Sequence, residues 1–209
     1  MDAIEQYGFP KKCRSDRGSE NINIANVQTV LGGKEAHIFG PSTANQRIES
    51  FWGRLRQLCL DEWIEFFLEM ERNGLYDYEN PEQLYIAIFV FGPLIESDLE
   101  AFIDYWDNQK IRKNKDSICP AGIPNLIFQY PNQYGADDCS TKLEDIDGIR
   151  RAVVQENGII DSTECWATNM VLNQAFFECL QASSMWPITK TNILRCFMTL
   201  KNMVVELSH

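Results

Sequence analysis

Helical spacing is clearest between Ile48 and Met70. There Ile48, Phe51/Trp52, Leu55, Cys59, Trp63, Phe66/Phe67 and Met70 recur at steps of three and four, the pattern of an amphipathic helix. Gly40-Pro41-Ser42-Thr43 supplies its start, with Ser42 or Thr43 as N-cap, and Asn73-Gly74 its stop. The helix then spans roughly 28 residues, about 40 Å at ~1.5 Å per residue. Upstream, residues 2–7 form a short helical pattern ended by Gly8 and Pro10. Residues 11–15 lead into an extended segment, residues 16–21 carry turn chemistry around Gly18, and residues 35–39 read as a strand. Between them, Ile24, Val27 and Leu31 predict a helix stopped by Gly32-Gly33. Downstream, Pro81 opens a helix to about Phe91, Gly92-Pro93 breaks or kinks the path, and a further helix runs to about Gln109. Residues 110–124 are basic and irregular. A polar linker follows from residue 131, and helix-like stretches at 163–183 and 188–207 meet near Trp186-Pro187.

Length and composition narrow the class. The 209 residues suit one domain, or one domain with an appendage. With 44% hydrophobic and 11% aromatic residues the chain can bury a core. The longest apolar run, residues 86–91, is far below the ~18 residues of a membrane span. The first eight residues carry neither the basic nor the apolar region of a signal peptide, so the expectation is a soluble, intracellular protein with no membrane partner. Seven cysteines without a Cys-x-x-Cys pair suggest reduced thiols, and the two histidines, His37 and His209, lie near no cysteine that could complete a zinc site.

The net charge of −11 is unevenly spread. Residues 10–60 carry eight basic and four acidic side chains, whereas residues 61–109 carry one basic and thirteen acidic ones. A basic cluster returns at Lys110, Arg112, Lys113 and Lys115. A uniformly acidic chain would repel nucleic acid; a basic segment within an acidic chain need not. The ordinary reading of 61–109 is a solvated acidic helical face.

Two carboxylates stand apart from the rest. Asp16 sits at the mouth of a short strand, in Arg14-Ser-Asp-Arg-Gly-Ser-Glu-Asn21, and Glu49 in the first turns of the long helix, in Asn45-Gln-Arg-Ile-Glu-Ser-Phe-Trp52. Thirty-two residues lie between them. A strand-end carboxylate facing a helix carboxylate can share a divalent metal, and hard oxygen ligands suit Mg²⁺ or Mn²⁺. Taken alone, an Asp before Gly is an ordinary turn residue and a helical Glu an ordinary solvated one. Asn45 lies four residues before Glu49 and Arg56 seven after, so all three fall on one helix face.

The surrounding words, Ser-Asp-x-Gly-x-Glu-Asn followed by Asn-x-Arg-Ile-Glu-x-x-Trp, resemble the second half of the retroviral-integrase core in the DDE transposase/integrase superfamily, closest to the integrase-core proteins of metazoan transposable elements. The stretch from Asp98 to Asn108 resembles that family's Trp-containing helix, and Cys119-Pro-Ala-Gly122 stands where a Pro-containing turn follows it. The resemblance covers roughly residues 1–130. It implies an α/β, ribonuclease H-like integrase core lacking its first strands, followed by a mainly helical C-terminal segment. The implied organisation is a core over 1–130, a linker over 131–149 and a helical segment of unknown role over 150–209.

By the same resemblance, Asp16 matches the family's second catalytic Asp and Glu49 its catalytic Glu. Both would ligate Mg²⁺ or Mn²⁺ for DNA strand transfer in the nucleus. Asn45, Arg47, Arg56, Arg17, Lys11 and Lys12 would contact DNA. The family uses three carboxylates, yet fifteen residues precede Asp16 and the sole Asp among them, Asp2, sits in a short helical pattern. The sequence therefore reads as a fragment, a degenerate element copy or a truncated gene model, with weak metal binding and no strand transfer.

Phe51, Trp52, Trp63, Phe66, Phe67 and Trp106 read as core residues. A second reading keeps the integrase look without its chemistry: a non-catalytic helical module whose acidic stretch 61–109 binds a basic protein partner and whose residues 150–209 either pack against that stretch or form a homo-oligomer.

Overall fold

Gly8 turns the chain out of α1 (Asp2–Tyr7) and into β1 (Phe9–Pro10). Its φ of +83° suits glycine, and a Cβ there would sit 2.7 Å from the Thr141 carbonyl oxygen. That close approach lets β1 pair antiparallel with β4 (Ser140–Thr141), Phe9 opposite Thr141 and Pro10 opposite Ser140. The structure, a computed structural model, describes residues 2–41, 46–113, 115, 120–142 and 170–207, without the side chains of residues 2, 3, 5, 20, 46, 47 and 207.

These residues belong to two compact units, Met1–Trp52 with Asp107–Ser162 and Gly53–Trp106 with Thr163–His209. In the first, β2 (Cys13–Ser15) pairs parallel with β3 (His37–Phe39), Cys13 opposite His37 and Ser15 opposite Phe39. Parallel strands need a crossover, and α2 (Ile22–Gly32) provides it. Hydrogen bonds from Cys13 N to Ala36 O (2.8 Å) and Gly40 N to Ser15 O (2.9 Å) extend the ladder at both ends. The helix forms where apolar spacing predicts it, but its inward face is Ala25 and Gln28, while Ile24 is exposed. Small residues set this face: a Cβ on Gly32 would lie 2.6 Å from that of Ala36. The Gln28 side-chain amide donates to the Pro10 carbonyl, so its burial leaves no unmet polar group there. α6 (Pro124–Gln129) follows an Ile111–Gly122 bridge, and Phe128 meets Tyr7 edge-on at 5.6 Å.

The long helix runs unbroken as α3 (Gln46–Leu55), a π-helical turn (Arg56–Leu60) and α4 (Asp61–Arg72). Its buried positions Leu55, Cys59 and Trp63 follow at steps of four, which drift by about 40° each in an α-helix. The wider π turn takes up part of that drift. Burial begins at Leu55, so Trp52, expected in the core, is about half exposed, as is the periodic Ile48. Asn80 caps α5 (Pro81–Asn108) by accepting from the Glu82 and Gln83 amides. Gly92-Pro93 does not end this helix as expected. Pro93 removes one backbone hydrogen bond, but Val90, Phe91 and Phe102 on either side are buried and hold the helix in place.

The second unit's core gathers Trp63, Met70, Ile86, Val90 and Phe91 with residues from α7 (Met170–Ala182) and α8 (Ile193–Leu207), among them Phe176, Leu180, Phe197 and Leu200. The expected helices near 163–183 and 188–207 are present within the described residues as α7 and α8; residues 163–169 lie outside them.

Asp98, in the segment that carries the family-like helix, has a structural task here. It accepts from the Trp63 indole (2.9 Å) and pairs with Lys190 (2.6 Å), whose ammonium also lies over the Trp63 ring. Burial alone would raise the Asp98 pKa, but the hydrogen bonds from Lys190 and Trp63 and the Lys190 charge outweigh it and hold the carboxyl below its ordinary value. A depressed folded-state pKa stabilises above the unfolded-state value and ceases to as pH falls through the folded one. Asp98→Ala is therefore expected to cost about 1–2 kcal/mol at neutral pH. In urea titrations the gap to wild type should close as pH drops below the usual carboxylate range.

Candidate metal and nucleic-acid site

Where β2 ends, Ser15 donates its hydroxyl to the Asp16 carbonyl (2.9 Å) and the chain turns. The Asp16 carboxylate accepts at Oδ1 from the Asn21 side-chain amide (2.6 Å), with the Gly18 amide at 3.5 Å completing an Asx-type turn. These contacts fix the carboxylate's orientation. Oδ2 has no partner among the described residues.

Asp16 lines an open hollow of about 550 Å³, together with Arg17, Gly18, Phe39, Gly40 and Pro41. The Arg14 guanidinium lies against Gly40: a Cβ at that glycine would meet it at 2.5 Å. Gly40→Ala should therefore displace the Arg14 side chain while leaving the strand pairing intact, checked by far-UV circular dichroism and by a weaker pull on anionic ligands. On the neighbouring strand, His37 Nε2 lies 3.2 Å from the Ser15 hydroxyl. With that hydroxyl's proton on the Asp16 carbonyl, His37 donates from Nε2. Its Nδ1 is buried with no partner among the described residues.

Glu49 is exposed in the first turn of α3 and makes no hydrogen bond or ion pair among the described residues. It is not among the described residues lining the hollow, and no described contact joins it to Asp16. Asn45 and the Arg47 side chain lie outside the described residues. Lys11 is exposed and donates to the Asp138 carbonyl (3.2 Å); Lys12 and Arg17 are exposed. Arg56 belongs to the second unit and pairs with Asp61 at 3.1 Å, both side chains more than half exposed. Such an exposed pair is weak, and the i to i+5 spacing suits the π turn between them.

Among the described residues no group of three or more His, Cys, Asp or Glu could hold a metal ion. The donor set nevertheless suits one class of ion. An anchored carboxylate with one unengaged oxygen, beside a hollow with room for water, fits Mg²⁺, which retains several waters and needs only one or two protein carboxylates alongside substrate phosphates.

The sequence reading did not assign roles to Asn21, Arg14 and Phe39. Asn21 stands within the quoted motif, five residues after Asp16, so its anchoring role had a visible signal. Phe39 became a site residue only through the β2–β3 register, which sets it opposite Ser15; Arg14 adjoins the site only through its close approach to Gly40.

A family model described as "Integrase core domain" matches residues 1–124. No curated protein and no solved structure matches the chain.

Proposed function

The chain belongs to the integrase core domain family, and from that premise we propose that it is a DNA-binding core of mobile-element ancestry whose carboxylate hollow takes a divalent cation. Integrase core domains generally use divalent metals and bind DNA. The observation that carries the reading to this chain is the anchored Asp16 carboxylate beside Arg17, at the end of the parallel β2–β3 pair. That βαβ unit is read as part of a ribonuclease H-like sheet, with Asp16 and Glu49 as the two metal-binding carboxylates.

Mg²⁺ or Mn²⁺ bound there would polarise a phosphodiester oxygen and help deprotonate an attacking water or hydroxyl. The protein's own contribution is to orient one carboxylate through Asn21 and to bring cationic side chains to the phosphates. Arg17, Lys11 and Lys12 lead this set, with Arg47 and the uncharged Asn45 assigned beside them by the family resemblance. The sequence matches two of the three carboxylates that strand transfer uses in the family, so the 209-residue chain by itself is expected to bind DNA without transferring strands. Its DNA substrate puts the proposed place of action in the nucleus.

The test is DNA affinity against salt, read by fluorescence anisotropy. Phosphate contacts release counterions, so log affinity should fall steeply and linearly with log salt. Replacing Lys11, Lys12 and Arg17 together by alanine should reduce the slope by about 2–3. A flat salt response in wild type would end the DNA reading.

One observation favours a second reading, a non-catalytic interaction module. The second unit closes a core of its own from α4, α5, α7 and α8, and most of the acidic stretch 61–109 lies in it. Under that reading, binding of a basic protein would survive Asp16→Asn with Glu49→Gln.

A further inference from the structure

Phe39 is the last residue of β3, lines the hollow beside Asp16, and leaves 45% of its surface to solvent. A singly exposed apolar side chain is ordinary on a protein surface; what sets this ring apart is its place beside the anchored carboxylate. Here the ring is also held. Residues 37 and 39 share a sheet face by the two-residue period of a strand, and the rings of His37 and Phe39 meet edge to face, with centroids 4.6 Å apart and planes at 65°. His37 in turn is held by Ser15, whose hydroxyl is tied to the Asp16 carbonyl. A chain of contacts therefore links the ring to the backbone of the carboxylate residue. One cation shares its hollow: Arg17 lines it beside Asp16, whereas Arg14, opposite Ile38 in the register, lies on the other sheet face.

A part-exposed aromatic ring, a carboxylate and a guanidinium around one hollow match the parts of a nucleotide: a flat base, and a phosphate whose charge an arginine or a bound cation can meet. We infer that Phe39 is a stacking platform for an unpaired or terminal base of the DNA, with Arg17 on the adjoining phosphate. The inference rests on the DNA-binding reading above and deepens it. A base inside a duplex is covered on both faces by its neighbours, so only one out of the stack can lie on the ring. The role is sequence-tolerant, because every base has a π-face. Arginine contacts position the phosphates without reading sequence.

The test uses the full chain and a single-stranded oligonucleotide carrying 2-aminopurine, whose fluorescence is quenched by stacking. Wild type should quench it on binding. Phe39→Leu keeps an apolar side chain but has no π-face; it should lose the quench and weaken single-strand binding by about 5- to 150-fold, with the salt slope unchanged. Phe39→Trp should retain the quench, which separates loss of stacking from loss of fold. Arg17→Ala should keep the quench and lower the salt slope by about 1. If wild type binds DNA with a steep salt slope but leaves 2-aminopurine bright, or Phe39→Leu behaves as wild type, the platform is overturned and the DNA reading stands. If Phe39→Leu instead abolishes binding of a basic protein and leaves DNA affinity untouched, the ring serves a protein partner and the inference fails. If wild type does not bind DNA even at low salt, the DNA reading itself falls, and the inference with it.

Discussion

Phe91→Ala is expected to destabilise the helical unit by about 3–5 kcal/mol, the range for deleting a fully buried phenylalanine ring. Phe91 is 1% exposed. It lies within ring-contact distance of Phe67 (5.0 Å), Phe197 (5.4 Å), Phe66 (5.5 Å) and Trp63 (6.5 Å). These partners come from α4 and α8, so the ring ties α5 to two other helices. Rigid aromatic neighbours close a vacated space poorly, which places the cost toward the upper end of the range. Domains are stable by only about 5–15 kcal/mol in total, so the variant should lose a large share of its stability. Chemical denaturation followed by helical circular dichroism measures this. Leu68→Ala, at a position more than a third exposed on α4, should shift the midpoint little and serves as the control. A loss under 1 kcal/mol for Phe91→Ala would contradict the packing described for this core.

The second large effect concerns the hollow. Asp16→Asn should abolish Mn²⁺ binding to the chain, measured by titration calorimetry or by the paramagnetic effect on nearby nuclei. The substitution preserves shape and an acceptor for Asn21 but removes the charge a hard cation requires. Asn21→Ala should weaken binding by about tenfold rather than abolish it, because outer partners orient a ligand without supplying it. Glu49→Gln carries separate information. Glu49 is exposed and no described contact joins it to Asp16. A loss comparable to Asp16→Asn would mean that the two carboxylates converge on one ion; unaltered binding would leave Asp16 as the main ligand.

How much of this was legible in the sequence depends on how local each cause is. The helix from Gln46 to Arg72 was legible because its apolar steps and its Asn73-Gly74 stop are properties of adjacent residues. Its core boundary was not. Trp52 is periodic with the buried positions yet stays exposed, since burial depends on which helices cover it. Gly92-Pro93 carries a local breaking signal that the packing of Val90, Phe91 and Phe102 overrides. On α2 the tight approach of Gly32 to Ala36 chose the Ala25–Gln28 face over the more apolar one.

The candidate site divides in the same way. Asp16 stood out through the residues around it, and Asn21 lies within that same motif. Phe39 and Arg14 depend on a strand register and a close approach to Gly40, neither of which is a property of one segment.

The central claim is that Asp16 holds a divalent cation against DNA phosphate, and the most direct measurement is DNA affinity at fixed ionic strength as Mn²⁺ is raised. The account predicts that wild-type affinity increases with Mn²⁺, while Asp16→Asn binds DNA in metal-free buffer at least as well as wild type and shows no such increase. Identical Mn²⁺ responses in the two proteins would contradict it.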